Sequence, residues 1–378
     1  MKIRRRRFLL GALGAAGAAA AGGGAMFLHG PQFGRPPSAE RLRRIQASPN
    51  WKNGAFRNLE PIVAPPPEKR ERRLKIWSRF LFADKKDLFP DGMLPIRIPD
   101  FTGGGRSAEP DGARAAWLGH SSLWLELDGM RILVDPVFGD YASPVPFINR
   151  AFPGTGVAEA EDFPEIDVLA ISHDHWDHLD YPSVTALRDK VRAVVCPLGV
   201  GEYLEQWGFD GAIIREGDWF DSFDFGGALR IHIVPGRHFS GRLSRSGQTL
   251  WGGFVFDSPL HRVYFSGDGG WGRHFAEIGR RFAPVDVAFM ENGQYNDSWP
   301  SVHMTPAETA LAAETVGARA VVPIHNSRFA LSRHAWDAPM SELARESEGR
   351  RYSLWTPMIG ETFSLDGGGD FSAWWDLV

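Results

Sequence analysis

From residue 115 onward, apolar residues come in short runs that end at glycine, proline or a charged residue. Stretches 115–118, 122–127 and 130–134 have the length and apolar content of strands, and Asp128-Gly129 joins the last two as a tight hairpin. Further strands are expected at 168–171, 193–197, 229–234, 262–265 and 320–323. Between them the apolar spacing lengthens to a helical period, predicting helices over 182–190, 201–207, 271–282, 305–316 and 340–348. Two of these carry start signals. Asp180 is set to cap the first, with Pro182 in its opening turn, and Thr305-Pro-Ala-Glu308 has the form of a capping box. Strands alternating with helices describe an α/β (α+β) chain, and two sheets flanked by helices suit the order.

The first 110 residues follow no such pattern. Arg4 to Arg7 precede Phe8-Leu-Leu10 and a weakly hydrophobic Ala/Gly stretch, so residues 1–30 read as a bacterial Tat-type export signal. The Tat export machinery is then a partner. The expected location is the periplasm, or the inner membrane if the signal stays as an anchor. Residues 31–110 are expected to be an extension packed on a main domain that spans 111–378. Ala64-Pro-Pro-Pro-Glu68 should run extended. Beyond it, Leu74, Trp77, Phe80 and Leu81 recur at helical spacing beside Arg70, Arg73, Lys75 and Arg79. Such a stripe docks on a core or lies peripherally on a membrane surface, and docking is favoured.

Composition narrows the field. The chain has 378 residues and a formal net charge of -4, which gives no general pull toward nucleic acid. Cys196 is the single cysteine, so no intrachain disulfide can form, and its apolar neighbours make it a core residue.

The chemistry concentrates after the strand at 168–171. His173, His175, Asp177 and His178 put three imidazoles and a carboxylate within six residues, between a strand and a helix. Neutral imidazoles and a carboxylate suit zinc or a similar divalent metal. Alternating positions on a tight loop send His173 and His175 one way and Asp177 and His178 another, which suggests two metals with ligands from elsewhere. His238, Asp268 and His325 each follow a predicted strand, where loops of α/β sheets gather into sites, and they complete the candidate set. Asp135 follows a strand too, either orienting the histidine loop or starting a turn before Pro136.

His-x-His-x-Asp-His after a buried strand resembles the signature of the metallo-β-lactamase superfamily. Trp117-Leu-Gly-His-Ser121, Asp135-Pro-Val-Phe138, Phe265-Ser-Gly-Asp268 and His303-Met-Thr-Pro306 resemble its N-acylphosphatidylethanolamine phospholipase D-like branch. The resemblance implies an αββα sandwich and two Zn2+, other divalent metals being compatible. It assigns His173, His175 and His238 to one ion, Asp177, His178 and His325 to the other, and Asp268 to both.

A hydroxide between two such ions is then the expected nucleophile, and the ions stabilise charge on a phosphoryl or carbonyl oxygen. No Gly-x-Ser-x-Gly motif is present, which disfavours a serine hydrolase. His303, just before a predicted helix N-terminus, is the candidate to contact phosphate or protonate the leaving oxygen. His120 is given a similar part at the site edge, and Asp177 is counted with the catalytic groups. Three readings follow. The favoured one is a phospholipase D-type phosphodiesterase acting on a phospholipid, with an apolar mouth built from Trp51, Trp77, Phe80 and Phe82. The second is a lactonase or small phosphorylated-ester hydrolase, and the third an exported zinc-binding protein without turnover. Met290-Glu-Asn-Gly-Gln-Tyr295 and Asn326 depart from the lipase branch and bear on the substrate rather than on the metals.

Overall fold

The computed structural model describes residues 27–63, 87–101, 112–242 and 245–378. Residues 1–26 of the expected export signal (1–30), the proline run and the basic aromatic stripe with Trp77, Phe80 and Phe82 lie outside the described residues. Among the described residues, no helix is long and apolar enough to cross a membrane.

The alternating apolar runs build two seven-stranded sheets. The first contains β1 (Arg114–Trp117), β2 (Leu123–Leu127), β3 (Met130–Val134), β4 (Val168–Ala170), β5 (Val194–Pro197) and β6 (Ile214–Gly217). The second contains β7 (Ser222–Asp224), β8 (Arg230–Val234), β9 (Gly253–Asp257), β10 (Arg262–Phe265), β11 (Val285–Glu291), β12 (Ala318–Ile324) and β13 (Ser353–Leu354). The last strand, β14 (Thr362–Ser364), returns to pair with β1. In space the orders are β14-β1-β2-β3-β4-β5-β6 and β13-β12-β11-β10-β9-β8-β7. Each sheet has three antiparallel pairings followed by three parallel ones. The halves therefore repeat one pairing scheme although the sequence carries no visible repeat.

Strand periodicity explains the layering. On β9 to β12, Phe254, Phe256, Val263, Phe265, Val287, Phe289, Ala320, Val322 and Ile324 join the cluster between the sheets. Their neighbours Val255, Tyr264, Ala288, Met290 and Val321 turn outward onto the helices, as a two-residue period requires. The helices are α1 (Ala39–Ala47), α2 (Tyr181–Leu187), α3 (Gly201–Gln206), α4 (His274–Phe282), α5 (Pro306–Thr315) and α6 (Ala338–Glu346). The second to sixth lie where helical spacing predicts them. α4 starts three residues later than expected, after Gly272 and Arg273. Asp180 caps α2 by accepting from Ser183 N at 3.1 Å, and both halves of the Thr305/Glu308 capping box form at α5. The fold is an αββα sandwich of the metallo-β-lactamase type.

Residues 27–63 run from the first sheet's far edge, where α1 docks, to the loops around His238 and Ser301 in the second half. α1 brings Arg41 onto Glu216 of β6 at 2.7 Å and onto Glu202 and Glu205 of α3 at 2.9 and 2.7 Å. Trp51 packs edge-on against Phe56, 5.1 Å between centroids.

Candidate metal centre

The singled-out side chains follow the carboxyl ends of strands that run in one direction. β1 leads to His120, β3 to Asp135, β4 to His173–His178, β8 to His238, β10 to Asp268 and β12 to His325. Antiparallel steps separate β1 from β3 and β8 from β10 by one intervening strand, so all six ends meet at one rim. His120, Asp135 and His325 have φ of 51°, 43° and 65°, left-handed conformations unusual for residues with side chains and typical of strained sites. Before Asp268, Gly267 sits at φ 60° with the carbonyl oxygen of Gly252 only 2.3 Å from where a Cβ would be, so no side chain fits there.

Two groups of donors form. Single donor atoms of His120, Asp177, His178 and His325 lie within 4.8 Å of one another, and so do those of His173, His175, His238 and Asp268. Asp268 spans the gap. Its Oδ1 is 3.2 Å from His178 Nε2 and 3.1 Å from His325 Nδ1, while Oδ2 is 3.9 Å from His173 Nε2 and 3.7 Å from His238 Nε2. His303 joins Asp268 and His325 in a third such group.

The neighbours determine which nitrogens are left for a ligand. Val302 O can only accept, so His238 donates to it from Nδ1 at 3.0 Å and turns the Nε2 lone pair toward His175 Nδ1, 3.1 Å away. His178 gives its Nδ1 proton to Asp135 Oδ2 at 2.7 Å, so its Nε2 faces Asp268 and, at 3.5 Å, Asp177 Oδ2. Lone pairs and carboxylate oxygens converging in a buried space require a shared cation, a proton or a metal ion. Buried His173 Nε2 and His325 Nε2 find no hydrogen-bond partner among the described residues. The residues therefore fit a pair of divalent ions. Burial first, with the neighbouring imidazoles, holds His173 and His325 well below the usual histidine range. Burial would raise Asp268 and Asp177, yet the charge of His178 outweighs it and holds both well below the carboxylate range. Neutral imidazoles and ionised carboxylates are the ligating forms, and His178, which burial would lower but Asp268 and Asp177 raise well above the histidine range, would give up its proton to a metal ion.

Several placements differ from expectation or add to it. His120, expected at the site edge, is wholly buried, with Nε2 2.9 Å from Asp177 Oδ2 and its ring 4.1 Å from that of His325. The rings of His178, His325 and Phe329 pack against it, which the local sequence does not reveal. Asp135 Oδ1 accepts from Ser172 N at 2.7 Å, so one carboxylate braces the loop backbone and His178 together. Ser121 has a part the sequence reading missed: its Oγ is 3.0 Å from His325 Nδ1. Asn58, far away in sequence, clamps His238 by donating to its O at 2.7 Å and accepting from its N at 3.0 Å. Glu291 was likewise missed as a site residue. It closes the apolar run of β11 as Asp135 and Asp268 follow β3 and β10, and that shared position was the available signal.

Comparison with known proteins agrees with this geometry. Residues 130–326 match the family model described as a beta-lactamase superfamily domain. An uncharacterized protein of Mycobacterium tuberculosis is 35% identical over 357 residues, covering 93% of this chain and 94% of its own length. N-acyl-phosphatidylethanolamine-hydrolyzing phospholipase D 1 of Caenorhabditis elegans is 33% identical over 256 residues, 64% of this chain and 70% of that protein. Among solved structures, Igni18, a metallo hydrolase from the archaeon Ignicoccus hospitalis, superposes with a TM-score of 0.51 at 20% identity. That superposition covers 69% of this chain and 99% of Igni18, and it is a likeness of fold.

Proposed function

The chain belongs to the metallo-β-lactamase superfamily of metal-dependent hydrolases, and on that premise we propose a binuclear zinc phosphodiesterase of phospholipase D type. The substrate would be an N-acylphosphatidylethanolamine-like phospholipid. The observation that carries the two-ion reading is Asp268, whose two oxygens face different donor groups. His173, His175 and His238 would hold one ion, Asp177, His178 and His325 the other, and Asp268 both. An all-nitrogen-and-oxygen donor set suits zinc. When bound, the ions supply a Lewis acid that acidifies water and draws charge off a phosphoryl oxygen.

The chain's own residues orient and protonate. Asp135 and Ser121 hold the rings of His178 and His325, and His120 steadies Asp177 from below. Asp177 is buried with Oδ2 against His120 and His178, and from there it would help to orient the attacking water. His303, half-buried before α5, delivers a proton to the leaving oxygen. Support for a lipid comes from the name of the worm relative and from exposed apolar side chains near the rim. Phe239 is exposed against the His175 ring, and exposed Val63 is tied through its N to Ser301 Oγ beside Val302. The arginine-rich start supports Tat-type export to the periplasm.

The test is hydrolysis by purified, metal-analysed protein offered bis(p-nitrophenyl) phosphate, N-acylphosphatidylethanolamine in mixed micelles and a panel of lactones. About two zincs per chain with diester and phospholipid turnover is the expected result. Turnover of lactones alone would replace this reading with a lactonase. Bound zinc without any turnover would leave a binding protein.

A further inference from the structure

β11 ends on a carboxylate that the proposed reaction does not use. Glu291 is fully buried and both of its oxygens are engaged: Oε1 accepts from His303 Nδ1 at 2.9 Å and Oε2 from Met304 N at 3.0 Å. Its backbone is fixed as well. The amide donates to Ser266 Oγ at 2.8 Å, and the carbonyl accepts from Thr309 Oγ1 at 3.0 Å. Ser266 opens the turn that carries Asp268, and Thr309 lies in α5, so one residue joins the strand, the Asp268 turn and the helix that His303 precedes. A buried carboxylate is costly unless charge-complementary partners surround it, and among the described residues the imidazole is the only side chain that gives it a proton. With Nδ1 committed to Glu291, His303 has only Nε2 left for the site. Its ring stacks on His325 at 5.1 Å and lies 5.2 Å from His238, at the junction of the two donor groups.

We infer that Glu291 is the positioning residue of His303: by accepting the Nδ1 proton it sets the ring so that Nε2 presents a proton to the leaving oxygen. The inference rests on the phosphodiesterase reading of this site. In that reaction a water oxygen forms a bond to phosphorus while the bond to the leaving alkoxide breaks. The bonding pair goes to the alkoxide oxygen, which takes the Nε2 proton, and one of the water's protons restores the imidazole. A carboxylate behind an imidazole sets tautomer and orientation in the same manner in acyl-transfer triads.

The experiment compares wild type, Glu291→Gln, Glu291→Asp, His303→Ala and the Glu291→Gln/His303→Ala pair, all metal-loaded. Two phosphodiesters are offered, one leaving as p-nitrophenolate and one as an alkoxide. Glutamine keeps the size, but its single oxygen cannot serve both His303 Nδ1–H and Met304 N–H. Expected for Glu291→Gln is an unchanged KM and a kcat reduced about 10- to 100-fold for the alkoxide substrate. The p-nitrophenyl substrate, whose leaving group needs no proton, should lose little. Metal content should hold, Glu291→Asp should recover part of the rate, and the double variant should be no slower than His303→Ala. Equal losses on both substrates, lost metal or additive effects would overturn the inference. If wild type turns over neither diester, the phosphodiesterase reading fails on its own, and NMR of the histidine rings decides the positioning. Wild type should then display a downfield, exchange-protected His303 Nδ1 proton that Glu291→Gln lacks. Its absence from wild type, or its persistence in Glu291→Gln, would sink the idea.

Discussion

Asp268 is the residue on which both donor groups depend, because each of its oxygens lies nearest a different pair of imidazoles. Asp268→Asn removes the negative charge that two neighbouring dications would share. Both bound metal, read by elemental analysis, and turnover should fall steeply, by about 100-fold or more in rate. Unchanged turnover would end the bridging assignment. His303 should behave in the opposite way. It touches the donor groups from one side, so His303→Ala is expected to lower kcat by about 10²- to 10⁴-fold while the metal stays. Zinc loss would instead make His303 a ligand. These two residues were nameable from sequence because motif and strand-end position single them out. Glu291 offered a strand-end position alone, and Ser121 not even that. A glutamate at the end of an apolar run and a serine in a loop are common, and only their contacts with His303 and His325 give them a role.

Helix α4 carries a titration unrelated to the metal centre. His274, its first residue, is buried beside Arg237 and Glu60, and burial pushes its imidazole down to about 3. The unfolded ring titrates near 6.5, so between these values unfolding takes up a proton that the folded chain excludes. The contribution from His274 is therefore fully present above about pH 6.5 and is lost as the pH falls toward 3, by up to about 1.4 kcal/mol per pH unit. His274→Gln should flatten the fall of the denaturant midpoint between about pH 6.5 and 4 relative to wild type. Parallel curves for the two proteins would mean that the imidazole is solvated when folded. The helix itself was legible from its apolar spacing, but its start was not. Trp271 falls on the apolar spacing, whereas helical backbone begins only at His274.

At the scale of the whole molecule, the N-terminal segment is fastened at several points along its length, and Arg41 is the one that meets a buried carboxylate. Arg41 reaches Glu216, Glu202 and Glu205 together, and the Glu216 side chain is almost completely buried. Arg41→Ala leaves that carboxylate with Arg44 at 3.3 Å and the amides of Gly199 and Gly201. Loss of a buried partner of this kind costs on the order of 3 kcal/mol. The denaturant midpoint should drop accordingly, and limited proteolysis should cut residues 27–63 sooner. Because Asn58 in this segment holds both backbone groups of His238, metal retention under chelator should weaken in the same variant. An unchanged midpoint and cleavage pattern would show that the segment is held elsewhere.

Sequence by itself determined what is local. Two-residue and 3.6-residue periods drew most of the helices and the strands next to the site. Side-chain chemistry identified nitrogen and oxygen donors, and strand-end positions gathered them at one rim. It did not find β6, β7, β9, β11, β13 or β14, which are brief, are interrupted by charge, or carry an apolar run with no distinctive period. Only the tertiary structure decided how the donors group, that His120 lies beneath Asp177 instead of at the edge, and that Glu291 stands behind His303. The physical reason is common to all three. Which atoms face one another depends on how the strand ends and their loops pack at one rim, and that packing joins residues 12 to 204 positions apart.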